Sequence, residues 1–108
     1  MSIDVTEASF EADVVQRSAS TPVVLDVWAP WCGPCKTLGP ILDRAVAATD
    51  GQVVLAKVNA DEAPNLSKEL KVQGIPAVFA IDKGRVVDSF VGAKGEAEVT
   101  AFVQQLVP

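Results

Sequence analysis

The chain has 108 residues, of which 49% are apolar and 21% charged, as expected for one globular domain, and we predict a single domain over residues 1–108. Fourteen acidic against nine basic residues give a net charge of −5, which argues against a surface that binds nucleic acid. There is no histidine, so a serine–histidine or cysteine–histidine nucleophile and a histidine-ligated metal site within this chain are excluded.

From the sequence we expect neither a membrane span nor a secretory signal. No apolar run approaches the roughly 18 residues that a spanning helix needs, and the opening MSIDVTEASF lacks the basic and apolar regions of a signal peptide. Two close cysteines without an export signal favour a reducing compartment. We expect a cytoplasmic protein, with the mitochondrial matrix as the alternative for a mature form that has lost a targeting segment.

In the first half of the chain, helix and strand patterns alternate. A short strand is predicted near Ile3–Val5, followed by a helix over TEASFEADVV (6–15) with Thr6 as its N-cap. PVVLDVWA (22–29) is almost continuously apolar, as in a strand buried on both faces. Pro40 is expected to bend the helix that follows. That helix carries its apolar residues at helical spacing, at Leu38, Ile41, Leu42, Ala45 and Val46.

The second half adds two strands, a hairpin and a last helix. QVVLAKV (52–58) is a second buried strand, and Asp61 is predicted to cap the helix after it. AVFAI (77–81) and RVVDSFV (85–91) flank a hairpin turn with Gly84 as the turn glycine. The last helix has one apolar stripe, at Val99, Phe102, Val103 and Leu106.

This order of elements predicts an α/β fold. Strand–helix–strand units give parallel central strands, and the closing hairpin adds an antiparallel edge. Helices on both faces would cover such a sheet. We therefore predict a three-layer α/β/α sandwich with a central mixed sheet of about five strands and four helices.

Cys32 and Cys35 are the only cysteines, in the sequence WCGPC between a predicted strand and a predicted helix. A helix N-terminus stabilises a thiolate, and Pro34 fits a first helical turn because its missing N–H is not needed there. A loop this short gains little from a structural disulfide, so the spacing favours reversible thiol–disulfide exchange. The alternatives are a pair that only packs at the helix start and a zinc site shared between two chains.

Asp26 and Lys57 each interrupt a buried strand, and we predict that they pair with each other. A desolvated Asp26 would have a raised pKa and could exchange a proton with Cys35. The alternatives are a purely structural ion pair, or a Lys57 head group that reaches solvent. Pro76 precedes a strand, and because X-Pro bonds are mostly trans we predict a plain turn there.

Over essentially its whole length the sequence resembles the thioredoxin family. The residues that carry the resemblance are WCGPCK (31–36), Asp26, Trp28, Lys57, Ile75-Pro76, Gly84 and Gly92. The resemblance implies a protein-disulfide reductase in which Cys32 attacks the client disulfide. Cys35, helped by Asp26 and Lys57 through a water, then releases the client. It also implies a cis Pro76 beside the cysteines and a main chain at Ile75 that pairs with the extended client.

The resemblance further implies partners and a binding surface. Thioredoxin reductase would recharge the disulfide Cys32–Cys35 with electrons from NADPH, with no bound cofactor and no metal, and the chain would act as a monomer. Trp28 and Gly84 would support the structure. A flat docking surface would comprise Trp31, Gly33, Pro34, Ile75, Pro76, Gly92 and Ala93.

Three alternatives accompany this interpretation. Stretches such as KTLGPIL and VVDSFVG are similar to mitochondrial thioredoxins and to the thioredoxin domains of tetratricopeptide co-chaperones. In the co-chaperone case, this chain would be a piece of a longer protein. An oxidant or isomerase of the same fold usually has histidine between its cysteines, which Gly33-Pro34 argues against. A binding module would need neither an intact CGPC nor Asp26.

Overall fold

The computed structural model describes residues 2–108, and its elements follow the predicted order. The strands are β1 (Ser2–Val5), β2 (Val23–Trp28), β3 (Val54–Asn59), β4 (Ala77–Asp82) and β5 (Arg85–Val91). The helices are an N-terminal helix, π-helical over Glu11–Gln16 and 3₁₀ over Arg17–Ala19, then α1 (Gly33–Ala47), α2 (Pro64–Glu69) and α3 (Glu96–Gln104). A short 3₁₀ turn, Ala60–Glu62, precedes α2.

The strands form one mixed sheet in the order β1-β3-β2-β4-β5. β1, β3 and β2 are parallel, β4 is antiparallel to β2, and β5 is antiparallel to β4. Parallel neighbours need a crossover connection, which α1 supplies between β2 and β3, whereas a tight turn suffices between β4 and β5. The predicted three-layer sandwich with a five-stranded mixed sheet is confirmed.

Alternate residues of β2 enter two separate cores. Val24 packs with Leu38 and Leu42 of α1 on one face of the sheet. Leu25 packs with Val14 of the N-terminal helix on the other face. Since side chains alternate along a strand, Asp26 shares the face of Val24 and points toward α1.

The N-terminal helix starts later than predicted. Thr6 does not cap it directly: the Thr6 Oγ1 accepts the Ser9 N–H at 3.2 Å, and the Ser9 Oγ accepts the Thr6 N–H at 2.9 Å. This reciprocal pair closes a turn before the helix, whose N-cap residue is Phe10. Thr6, the predicted N-cap, therefore stabilises the turn that precedes the helix.

The prediction that Asp61 caps α2 is wrong. Asp61 lies inside the 3₁₀ turn, where its own N–H is accepted by the side chain of Asn59 at 3.0 Å. The first turn of α2 is capped from far along the chain, because the Glu7 carboxylate accepts the Leu66 N–H at 2.7 Å. A local capping rule does not find such a partner.

The hairpin between β4 and β5 is anchored to the N-terminal helix. Lys83 and Gly84 have φ angles of 52° and 78°, so Gly84 is the turn glycine that the sequence predicted. The Ser18 Oγ accepts the Gly84 N–H at 2.8 Å, and the Ser18 carbonyl accepts the Lys83 N–H at 2.9 Å. Ser18, which is 1% exposed, therefore fixes the hairpin to the body of the protein.

We expect Ser18→Ala to lower the free energy of unfolding by about 1–2 kcal/mol, because the Gly84 N–H loses its acceptor in a part-buried hydrogen bond. Ser20→Ala is the matched control, since the Ser20 hydroxyl is exposed and makes only a local bond to the Arg17 carbonyl. The control should change stability by less than about 0.5 kcal/mol. Denaturant unfolding of both variants measures this, and equal losses would contradict the anchoring role.

Candidate active site

Cys32 and Cys35 form a disulfide at the N-terminus of α1, with their Cα atoms 5.3 Å apart. Cys32 is the N-cap residue, with extended backbone angles, and its Sγ accepts the Cys35 N–H at 3.2 Å. Pro34 stands in the first turn, where it removes no hydrogen bond. The helix dipole and this N–H both favour a thiolate at Cys32. The predicted position of the pair at a helix start is confirmed.

The two cysteines are buried to a similar extent but face different surroundings. Cys32 is 4% and Cys35 6% exposed, and both pack with Ala29, Trp28 and Ile75. Cys35, in addition, lines a cleft that reaches Asp26. This cleft occupies about 390 Å³, enough for several water molecules. Asp26 and Cys35 therefore line one cleft, whereas Cys32 does not belong to its lining.

Asp26 is buried without a partner for one of its oxygens. The residue is 2% exposed, and its Oδ1 makes no hydrogen bond to any part of residues 2–108. Desolvation raises the pKa of Asp26 from 3.8 to about 6, while the Lys57 ammonium opposes this rise and the Asp43 carboxylate adds to it. A carboxyl with a pKa near 6 can both take up and return a proton at neutral pH.

The predicted ion pair between Asp26 and Lys57 is not formed in the described residues. The two residues are Cα partners on neighbouring strands, but the Lys57 Nζ lies 3.7 Å from the Asp43 Oδ2 of α1. The lysine side chain passes over Gly39, where an added Cβ would come within 3.6 Å of Nζ. Lys57 is 21% exposed, so the structure is closer to the alternative in which its head group reaches solvent.

Sheet topology brings Pro76 and Gly92 to the same edge as the cysteines. The Ile75–Pro76 bond is cis, as the resemblance implied, and the plain trans turn predicted from X-Pro statistics is wrong. The Gly92 N–H donates to the Pro76 carbonyl at 2.8 Å, and Gly92 has a φ of +91°, which favours glycine. Within residues 2–108 the main chain of Ile75 makes no hydrogen bond.

The other predicted docking residues are exposed around the disulfide, namely Gly33, Pro34 and Ala93. Trp31 is 69% exposed, yet its indole N–H donates to both carboxylate oxygens of Asp61, at 3.0 and 3.2 Å. Sequence reasoning missed this role of Asp61 because the partner lies 30 residues away. Trp28 packs against the cysteines, while its buried Nε1 has no acceptor in the described part of the chain.

In the described range, no group of three or more His, Cys, Asp or Glu side chains is arranged to hold a metal ion. None of the helices over residues 2–108 is long and apolar enough to cross a membrane.

Comparisons with known proteins agree with this geometry. A sequence model of the family described as Thioredoxin matches residues 1–105. The chain is 49% identical over 90 residues to "Thioredoxin, mitochondrial" of Mus musculus. The aligned stretch covers 83% of this chain and 54% of that protein. It is 39% identical over 101 residues to a thioredoxin of Pseudomonas aeruginosa, covering 94% of this chain and 92% of that protein.

A fused relative extends the comparison. Over 108 residues the chain is 39% identical to "Bifunctional thioredoxin reductase/thioredoxin" of Mycobacterium leprae. The aligned stretch covers 100% of this chain and 23% of that protein. The chain spans about half the length of the mitochondrial relatives that it matches.

We expect Asp26→Asn to stabilise the oxidised protein at high pH. The pKa of Asp26 rises from 3.8 to about 6 on folding. The stability that comes from its protonation is therefore complete below pH 3.8 and lost as the pH rises through about 6. At pH 8 the variant should gain up to about 3 kcal/mol in unfolding free energy, and the gain should vanish near pH 4.

Denaturant unfolding at the two pH values measures this effect. Glu69→Gln, which removes an exposed carboxylate, is the control and should change stability by less than about 0.5 kcal/mol at either pH. A gain for Asp26→Asn that is equal at pH 4 and pH 8 would show that titration of Asp26 is not its cause.

Proposed function

This chain belongs to the thioredoxin family, and on that basis we propose that it is a thiol–disulfide oxidoreductase that reduces disulfides in client proteins. The observation that carries the proposal is the disulfide between Cys32 and Cys35 at a helix N-terminus, with Cys35 facing the cleft of the buried Asp26. A structural cross-link would need no such carboxyl. A pair that must alternate between thiol, thiolate and disulfide does need one.

In the first step of this proposal the Cys32 thiolate attacks one sulfur of a client disulfide. A mixed disulfide forms between Cys32 and the client, and the second client sulfur leaves as a thiolate that takes a proton from water. Cys32 is assigned as the nucleophile because its sulfur accepts the Cys35 N–H and sits at the positive end of α1.

In the second step Cys35 resolves the mixed disulfide. Its thiol loses a proton to the Asp26 carboxylate through water in the cleft, and the resulting thiolate attacks the Cys32 sulfur. The bond between Cys32 and the client breaks, the client leaves with both sulfurs reduced, and the disulfide Cys32–Cys35 forms. Lys57 lines the same cleft and stabilises the ionised carboxylate electrostatically.

Clients are proposed to dock on the mostly apolar surface around the disulfide, in which Pro76 is buried and Ile75 and Gly92 are half-buried. Its residues are Trp31, Gly33, Pro34, Ile75, Pro76, Gly92 and Ala93. The free main-chain groups of Ile75 support the pairing of an extended client strand at this edge. The bond between Asp61 and Trp31 holds the indole at the rim of the surface. We propose that Trp28 supports the structure beside the cysteines, and that Gly84 supports it at the hairpin turn between β4 and β5.

We assign the reduction of the Cys32–Cys35 disulfide after each reaction to a separate enzyme. The proposed partner is thioredoxin reductase, with NADPH as the electron source and no cofactor bound to this chain. The fused reductase and thioredoxin of Mycobacterium leprae supports the pairing of the two activities. We further propose that residues 1–108 form one domain, supported by the single sheet from β1 to β5, and that the chain acts as a monomer.

The proposed location is the cytoplasm, with the mitochondrial matrix as the alternative. The relatives include proteins named as mitochondrial thioredoxins and thioredoxins of bacteria. Both compartments are reducing, as the proposed chemistry requires. Fluorescence microscopy of the tagged protein expressed from its natural gene separates the two.

The redox equilibrium of the pair tests the proposed direction of reaction. The oxidised chain is equilibrated with glutathione and dithiothreitol buffers, and free thiols are counted by alkylation. We expect the disulfide to remain oxidised in glutathione buffers and to be reduced by dithiothreitol, as for a protein that acts as a disulfide reductant. Ready reduction by glutathione would instead indicate an oxidant or isomerase, and the absence of a reversible disulfide would overturn the redox proposal in favour of a binding module.

Trapping tests the assignment of the two cysteines. With insulin as the disulfide substrate, Cys35→Ser should accumulate a mixed disulfide at Cys32 because the second step is blocked. Cys32→Ser is the matched control and should trap no insulin, and both variants should reduce insulin only at the uncatalysed rate. If Cys32→Ser trapped insulin and Cys35→Ser did not, Cys35 would be the nucleophile and Cys32 the resolving cysteine.

A further inference from the structure

Asp43 of α1 is a carboxylate at the active-site cleft that the two steps above do not use. Its Oδ2 lies 3.7 Å from the Lys57 Nζ, and its side chain is 46% exposed. It stands at the mouth of the cleft, whose floor is Asp26. The cleft is therefore lined by two carboxylates that both attract the Lys57 ammonium.

We propose that Asp43 is a positioning residue for the reaction: it holds the Lys57 ammonium at the mouth of the cleft, away from the carboxyl of Asp26. The proposal rests on the proposed function, since it concerns the proton acceptor of the second step. It adds a member to the site that neither the motif nor its spacing identifies.

The geometry of the cleft carries this assignment. Lys57 and Asp26 are Cα partners, and the Asp26 Oδ1 has no hydrogen-bond partner within residues 2–108. A buried, unpaired carboxylate attracts an ammonium strongly, yet the Lys57 Nζ lies over Gly39 and beside Asp43. The opposing attraction from Asp43 accounts for this position.

Two other charged groups near the pair come from α1 and β1. Lys36 of α1 lines the cleft, and Asp4 of β1 is the Cα partner of Lys57. On its other side Asp26 neighbours Val78 of β4, which carries no charge. In the described residues only Asp43 lies within 4.0 Å of the Lys57 ammonium, so it is the group to test.

This arrangement has a consequence for catalysis. An ammonium in contact with Asp26 would stabilise the ionised carboxylate and lower its pKa. A carboxylate with a low pKa is a weak base and takes the Cys35 proton less readily. By keeping Lys57 at the mouth of the cleft, Asp43 leaves Asp26 a stronger base. The ammonium remains near enough to stabilise the negative charge of the ionised Asp26 carboxylate.

The pKa of Asp26 in the oxidised chain tests the proposal directly, by carboxyl ¹³C NMR titration. Asp43→Asn should lower this pKa by about one unit, because the released ammonium moves toward Asp26. The matched control is Glu96→Gln, which removes the same charge from an exposed ion pair with Arg44, the residue next to Asp43 on α1. The control should shift the pKa of Asp26 by less than about 0.2 units.

A Lys57→Met background separates positioning from the direct effect of the Asp43 charge. If Asp43 acts through the ammonium, Asp43→Asn should shift the pKa of Asp26 much less when Lys57 is absent. An equal shift in both backgrounds would overturn the positioning role, as would a shift no larger than that of Glu96→Gln. The titration uses the resting oxidised chain without a client, so its result stands apart from failure of insulin reduction.

Discussion

The burial of the Asp26 carboxyl inside the sheet is the constraint on which the site depends. Ionising this group in the folded protein costs about 3 kcal/mol, judged from its pKa of about 6. That is a large fraction of the 5–15 kcal/mol that typically stabilises a domain. The two apolar cores on either face of the sheet offset this cost. The fold thus tolerates a destabilising residue at a position that lines the same cleft as Cys35.

Topology explains why residues distant in sequence share one edge of the sheet. β2 ends before Cys32, and β4 runs antiparallel to β2, so the start of β4, which follows Pro76, lies at the same edge. β5 is antiparallel to β4, which brings its end, just before Gly92, back to that edge. The hydrogen bond between Gly92 and Pro76 joins the two segments. The position of the proposed docking surface therefore follows from strand direction.

The sequence predicted those features that depend on local pattern. Alternating helix and strand signals were sufficient for the order of elements and the mixed sheet, and Asp26 was identified because it interrupts an apolar strand. Contacts set by long or distant side chains were not predictable. The direction of Lys57 depends on Gly39 and Asp43 of α1, and the cap of α2 comes from Glu7. Such partners follow from packing between elements, which periodicity does not encode.

The pH dependence of the resolving step tests most directly whether Asp26 is its proton acceptor. When the reduced chain reacts with Ellman's reagent in a stopped-flow instrument, the second thionitrobenzoate is released as Cys35 attacks Cys32. The account predicts that this phase accelerates with pH around a midpoint near 6, and that Asp26→Asn slows it by roughly 10²-fold and removes that midpoint. Superimposable pH profiles for the two proteins would contradict it.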